Sequence, residues 1–270
     1  MSYLPAMQDR NARRFLHRLR LSDASVRHFD LRVDANSISP RLVIPLHDEA
    51  GRELGCTRRA LHDDAQCGSC GVSVAAASVA ARRRANDENW QRCPACDAPK
   101  KKAGVAWLHS QFPKYVTDRT VRGGETLYNA HRAAKAMQEA WSADDLTPAL
   151  VLCEGFTEAW AVHEAGYESV VAWSGARPTD KQLDIAAALA VRPEISGEVA
   201  YHPVVVLATS DTTGRISAER AIRGLRTRGV SQIVMIDHYG DAGCDAAEML
   251  PHAGARRLAQ LLRDSRVASA

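Results

Sequence analysis

From Pro148 onward the chain alternates short, wholly apolar runs with segments of helical length, and that alternation limits the fold more than any other feature of its 270 residues. ALVLCEG reads as a buried strand ending at Gly155, and FTEAWAVHEAG as the helix after it, closed by Gly166. SVVAWSG is a second strand, followed by a helix from Asp180 to Leu189. HPVVVLATSD is a third, with RISAERAIRGLRTRG as its helix and Gly229 at the end, and SQIVMIDH is a fourth. Strands apolar on both faces, separated by helices, predict a parallel sheet covered by helices on both sides. Residues 147–256 make this α/β unit, and 257–270 a basic terminal helix and frayed tail.

The chain ahead of it is of another kind. Phe15, Leu16, Leu19 and Leu21 are interleaved with Arg13, Arg14, Arg18 and Arg20, which suits a short helix, and Ser22 is placed to cap a second one reaching Phe29. RLVIPLHD and ELGCTRRAL are apolar-rich strands joined through Asp48 to Gly51, the pattern of a β-hairpin. Residues 1–62 are thus expected as a small α+β subdomain, interrupted by an insert over 63–103 and resumed over 104–146, where Glu125 to Trp141 has helical spacing.

The insert holds four of the seven cysteines, as Cys67-Gly68-Ser69-Cys70 and Cys93-Pro94-Ala95-Cys96. Two CxxC knuckles aim two thiolates each at one ion and complete a tetrahedral set, so a structural zinc and a zinc-ribbon-like insert are expected; an iron centre or four ordinary cysteines are the alternatives. Arg82 to Arg84 and Lys100 to Lys102 make this insert either a phosphate clamp or a zinc clip with a solubilising rim. Trp90 and Trp107 either pack the zinc core or stack on exposed bases. Cys153, inside a strand, reads as a small core residue.

Thirty-five basic against 32 acidic residues leave a formal charge of +3, so net charge argues only weakly for a polyanionic partner. The basic set is 29 Arg and 6 Lys, and arginine suits bidentate phosphate contacts. No apolar run approaches the roughly 18 to 20 residues that cross a bilayer, and MSYLPAMQDRNARRF lacks the apolar core of a secretory signal. A cytoplasmic protein without a membrane partner is expected.

Acidic residues collect at the carboxyl ends of the predicted parallel strands, where such sheets bind ligands. Glu154 ends the first, Asp211 leaves the third in ATSDTTG with Gly214 as a turn residue, and Asp245 and Glu248 lie in GCDAAEML after the fourth. Carboxylates converging at one sheet edge call for a cation, and hard oxygen ligands favour magnesium or manganese. The alternative is that each acid caps a helix or faces water.

At these residues the sequence resembles the toprim domain, and more narrowly that of bacterial and phage DnaG-type DNA primases. VLCEGFTEAWAVHEAGYESVVAWSG is similar to the glutamate motif, VVVLATSDTTGRISAERA to the aspartate motif, and GCDAAEML to the closing element. Upstream, RLVIPLHDEAGRELGCTRRAL resembles the primase-core hairpin and PKYVTDRTVRGGETLYNAHRA the segment leading into toprim, so the likeness covers most of residues 12–255 outside the insert. The resemblance implies a toprim domain with a central parallel sheet packed against an amino-terminal α+β primase-core subdomain. It implies catalytic roles for Glu154, Asp211 and Asp245, tentative magnesium or manganese ligation by these and Glu248, and template or nucleotide phosphate contacts by Arg58, Arg59 and Lys114.

The activity implied is that of a DNA primase, joining ribonucleoside triphosphates on a single-stranded DNA template, in a phage-like or mobile-element setting. No GxxxxGK[ST] phosphate loop occurs, so a replicative helicase would be a separate partner. Two departures weaken the site: Thr209 stands where the family's first aspartate of Asp-x-Asp belongs, and Ala247 where a further acid often stands. Neither carries a carboxylate's charge to a metal. They favour a second reading, a catalytically weak toprim protein that binds nucleic acid as a replication accessory; a toprim nuclease is a third. Asp237 and Asp241 are the nearest candidates to compensate.

Overall fold

The computed structural model describes residues 3–34, 41–61, 115–142, 149–192, 199–239 and 245–267. They divide into two compact units: Met1–Phe15, Arg32–Ile44 and Thr57–Thr117 in one, and Leu16–Leu31, Pro45–Cys56 and Asp118–Ala270 in the other. Cys67, Cys70, Cys93, Cys96 and Lys114 lie outside the described residues, as do Arg82 to Arg84, Trp90, Lys100 to Lys102, Trp107 and Asp241.

The first unit carries most of a five-stranded sheet. Strands β1 (Leu4–Pro5), β2 (Arg32–Asp34), β3 (Arg41–His47), β4 (Glu53–Ala60) and β5 (Tyr115–Thr117) lie in that order. The hairpin predicted from Asp48 to Gly51 is present, closed by the Asp48 carboxylate accepting from the Ala50 and Arg52 amides. β4 pairs antiparallel with β5, Arg59 opposite Tyr115. Helix α1 spans Arg10–Arg18, and α2, Asp23–His28 in the second unit, is capped as expected: the Ser22 hydroxyl accepts the Ser25 amide at 3.2 Å.

The second unit is built on four parallel strands, β6 (Leu150–Cys153), β7 (Val170–Ala172), β10 (Val204–Leu207) and β11 (Ile233–Ile236), in the order β11-β10-β6-β7. The intervening β8 (Val191–Arg192) and β9 (Ala200–Tyr201) form a separate two-stranded ribbon that the sequence reading did not foresee. Helices α3 (Ala130–Ser142), α5 (Asp180–Ala190) and α6 (Thr212–Arg226) cover one face. There Leu150, Leu152, Val204 and Val206 meet Leu183, Ala218, Ala221 and Leu225 in one core. On the other face, α4 (Phe156–Glu164), α7 (Ala246–Ala253) and α8 (Ala255–Val267) pack together. Each fully buried Leu or Val contributes about 1.5–3 kcal/mol, so the doubly covered sheet is the main source of this unit's stability. Trp160 of α4 is fully buried, and its indole N–H donates to the Tyr128 hydroxyl at 2.9 Å. The α/β architecture with a parallel sheet agrees with the sequence expectation.

Candidate functional site

The chain leaves β6 through α4 to β7 on one side, then returns through α5 to β10 on the other. The reversal puts a topological switch point at the carboxyl ends of β6 and β10, the place where ligands of open parallel sheets bind. Glu154 stands at the end of β6, and Asp211 follows β10 by four residues.

Three of the acids predicted from sequence sense one another there. Glu154 is half-buried, and its carboxyl is raised above the usual range by burial first, then by the charges of Asp211 and Asp245. The capping alternative is realised as well. Asp211 is the N-cap of α6: its Oδ1 accepts the Gly214 amide at 2.7 Å and the Thr209 hydroxyl at 3.2 Å. Asp245 is the N-cap of α7, its Oδ1 accepting the Glu248 amide at 2.7 Å. Glu248 is exposed on the first turn of α7. Both caps leave the backbone to be satisfied by the same carboxylates that a cation would require.

Gly214 has a different role from the one expected. It does not form the turn into the helix but lies buried within the first turn of α6, where an added Cβ would run into the Thr209 hydroxyl and come within 2.9 Å of the Thr209 amide nitrogen. Thr209 therefore sits tightly against the helix that Asp211 caps.

Sequence reasoning passed over Glu158 and Tyr239. Glu158, in the first turn of α4, is buried; its Oε2 accepts the Gly155 amide at 2.8 Å, and its Oε1 has no hydrogen-bond partner among the described residues. Burial first, then the Asp245 charge, pushes its carboxyl up to about 8, so at neutral pH it is mostly protonated. Tyr239 is buried with its hydroxyl unpartnered among the described residues, and burial, Glu158 and Asp245 all raise its pKa. Cys153 is a core residue, as expected, donating its thiol to the Val171 carbonyl at 3.3 Å. Asp237, a candidate to fill the gap at Thr209, is paired with Arg215 at 3.4 Å.

The magnesium or manganese expected here finds only part of its donor set. Among the described residues, no group of three or more His, Cys, Asp or Glu side chains is arranged to hold a metal ion. The edge is acidic, with two carboxylates serving helix ends.

The basic residues lie in the first unit. Arg59 is buried; its guanidinium lies 4.2 Å from the Phe15 ring centroid, Nε donates to the Tyr115 hydroxyl at 3.2 Å, and a terminal nitrogen donates to the Ala60 carbonyl at 3.0 Å. Arg58 is more open, donating to the Tyr3 hydroxyl at 3.0 Å and lying 3.8 Å from Asp34. No described helix is long and apolar enough to cross a membrane.

No family model matches the chain, and no curated protein does. Solved structures do match by fold. The zinc-binding and RNA polymerase domains of the Aquifex aeolicus primase align with a TM-score of 0.61 at 18% identity over 96% of this chain. The chain spans 57% of that protein's length. The RNA polymerase domain of Mycobacterium tuberculosis primase DnaG aligns at 0.59 and 16% identity, covering 98% of this chain and 79% of that one. A DnaG primase catalytic domain bound to single-stranded DNA aligns at 0.58 and 15% identity, covering 97% of this chain and 75% of that one. The chain thus has a primase-like catalytic-domain fold with toprim architecture, at an identity that speaks to fold alone.

Proposed function

We propose that this protein binds nucleic acid through a primase-type toprim fold and serves replication as an accessory, with nucleotidyl transfer weak or lost. One observation carries the reading: a threonine hydroxyl occupies the position beside Asp211 where a second carboxylate would raise the edge's charge, and it donates to Asp211 itself. Oδ1 of Asp211 and Oδ1 of Asp245 each cap a helix as well, which thins the donor set open to a divalent ion. A similar fold bound to single-stranded DNA supports the nucleic-acid part of the reading. A structural zinc on Cys67, Cys70, Cys93 and Cys96 belongs to the same proposal.

A second reading, template-directed primer synthesis, is favoured by the mutual influence of Glu154, Asp211 and Asp245. Incorporation of labelled ribonucleotides on mixed single-stranded DNA templates, with magnesium or manganese, separates the two. The accessory reading expects DNA binding with no product, and product from Thr209→Asp, which restores a carboxylate at the gap. Short RNA products from the parent, lost in both Glu154→Ala and Asp211→Ala, would establish primer synthesis instead.

A further inference from the structure

Helices α5 and α6 lie side by side on one face of the parallel sheet, and between them runs a groove of about 340 Å³. Its floor is Leu183 and Gly224, and an added Cβ on Gly224 would strike the Leu183 side chain, so the helices close tightly beneath it. Its rim is arginine: Arg177, Arg220, Arg223 and Arg228 line it, with Asp180 the one acid among the lining residues. None of the acids of the sheet edge, Glu154, Asp211 or Asp245, lines this groove.

The rim is held in place. The Arg228 guanidinium donates to the Asp184 carboxylate at 2.7 Å, the Gly224 carbonyl at 2.8 Å and the Asp180 carbonyl at 3.0 Å, tying α6 to α5. Arg220 donates through Nε to the Pro178 carbonyl at 3.1 Å, which fixes the side chain and leaves its two terminal nitrogens without a hydrogen-bond partner among the described residues. Arg223 reaches Glu219 at 3.6 Å, but both side chains are largely exposed and such a pair contributes little. Arg177 is exposed. Ile216, 44% exposed, puts an apolar surface at the mouth.

We infer that this groove is a binding site for phosphate esters, either a free nucleotide or the backbone of a single strand. Guanidinium forks match phosphate oxygens in pairs, and a positioned fork has already lost part of its freedom before the ligand arrives. The volume suits a compact, nucleotide-sized group. Ile216 and the arginine planes offer seats for a base face. An acidic helical peptide would need a series of apolar anchors at helical spacing, and the groove presents a single exposed one. From Ile216 to Thr227 the lining of α6 rises about 16 Å at 1.5 Å per residue, and the Ile216 end lies roughly one and a half turns from the Asp211 cap. A strand leaving the groove at that end heads for the acidic edge.

The site rests on the groove alone and not on any activity at that edge. It is tested on the full chain in EDTA, so that no divalent ion links a phosphate to the acids. The probes are ATP, a twelve-residue oligothymidylate and a twelve-residue polyglutamate, followed by fluorescence anisotropy or calorimetry. Arg177→Gln/Arg223→Gln removes two exposed rim charges. Ile216→Glu places a carboxylate at the mouth, and Arg256→Gln/Arg257→Gln, on exposed residues of α8, is the control. Both groove variants are expected to weaken at least one phosphate probe tenfold or more, with the control within twofold of the parent. Loss for both probes assigns the site to phosphate esters generally, and loss for the oligonucleotide alone to a strand. For the strand, the slope of log affinity against log salt should fall by about 1.4 in the double variant, at roughly 0.7 per phosphate contact. The inference is overturned if the parent binds neither phosphate probe, if the groove variants stay within twofold for both, or if polyglutamate binds more tightly than either and is the probe lost. Failure of ribonucleotide incorporation leaves this result untouched.

Discussion

Replacing Glu158 by Gln tests the electrostatics under the acidic edge. An unfolded glutamate titrates near 4.5, whereas the folded one is held at about 8. The sign follows from proton counting. Below pH 4.5 both states keep the proton and folding loses nothing. Between 4.5 and 8 the unfolded chain releases it first, and the folded state loses about 1.4 kcal/mol per pH unit; above 8 the loss is complete. That amounts to on the order of 3 kcal/mol at pH 7 and 5 kcal/mol above pH 8. Gln keeps an acceptor for the Gly155 amide and never ionises, so the variant escapes the loss. Urea unfolding of parent and variant at pH 5, 6, 7 and 8 should show a stability difference that grows in favour of Gln. Histidines whose pKa is depressed by burial, such as His28 and His131, act in both proteins and cancel in the difference. A difference that stays constant over this range, whatever its offset, would refute the argument, because a mere packing change has no pH slope.

Other substitutions probe the frame around the edge. Gly214→Ala should cost about 3 kcal/mol, read as a lowered thermal midpoint, because the new methyl meets Thr209 backbone as well as side chain. Asp211→Ala should cost about 1 kcal/mol through the lost cap of α6, whereas Asp211→Asn should keep the stability, both read from the thermal midpoint. Tyr128→Phe should cost about 1–3 kcal/mol by stranding the buried Trp160 indole N–H, as measured by chemical denaturation.

Much of the frame is legible in the sequence because its signals are local. The strands beginning at Leu150, Val170, Val204 and Ile233 are apolar on both faces, and Ser22 announces its helix by a hydroxyl placed to accept the Ser25 amide. The strands of two or three residues, such as Arg32–Asp34 and Tyr115–Thr117, are too short to show alternation and exist through pairing with distant neighbours. Arg59 is expected from the sequence to contact template or nucleotide phosphates, yet Thr57, Arg59 and Leu61 share parity along β4 and just beyond it, and all are buried. That period of two was the available signal. Glu158 had one too: a glycine followed three residues later by glutamate, at the start of an apolar helix, is the spacing of a capping box. What no spacing carries is the burial that turns that cap into a mostly protonated acid at neutral pH.

The two capping carboxylates have a further consequence for how the edge can be watched. The amide protons of Gly214 and Glu248 are each held by an oxygen of a site acid, so anything that pulls Asp211 or Asp245 outward must first release them. Hydrogen exchange at those two amides would then quicken as a cation engages the edge, at the first turns of α6 and α7, while the amides deeper in each helix keep their protection.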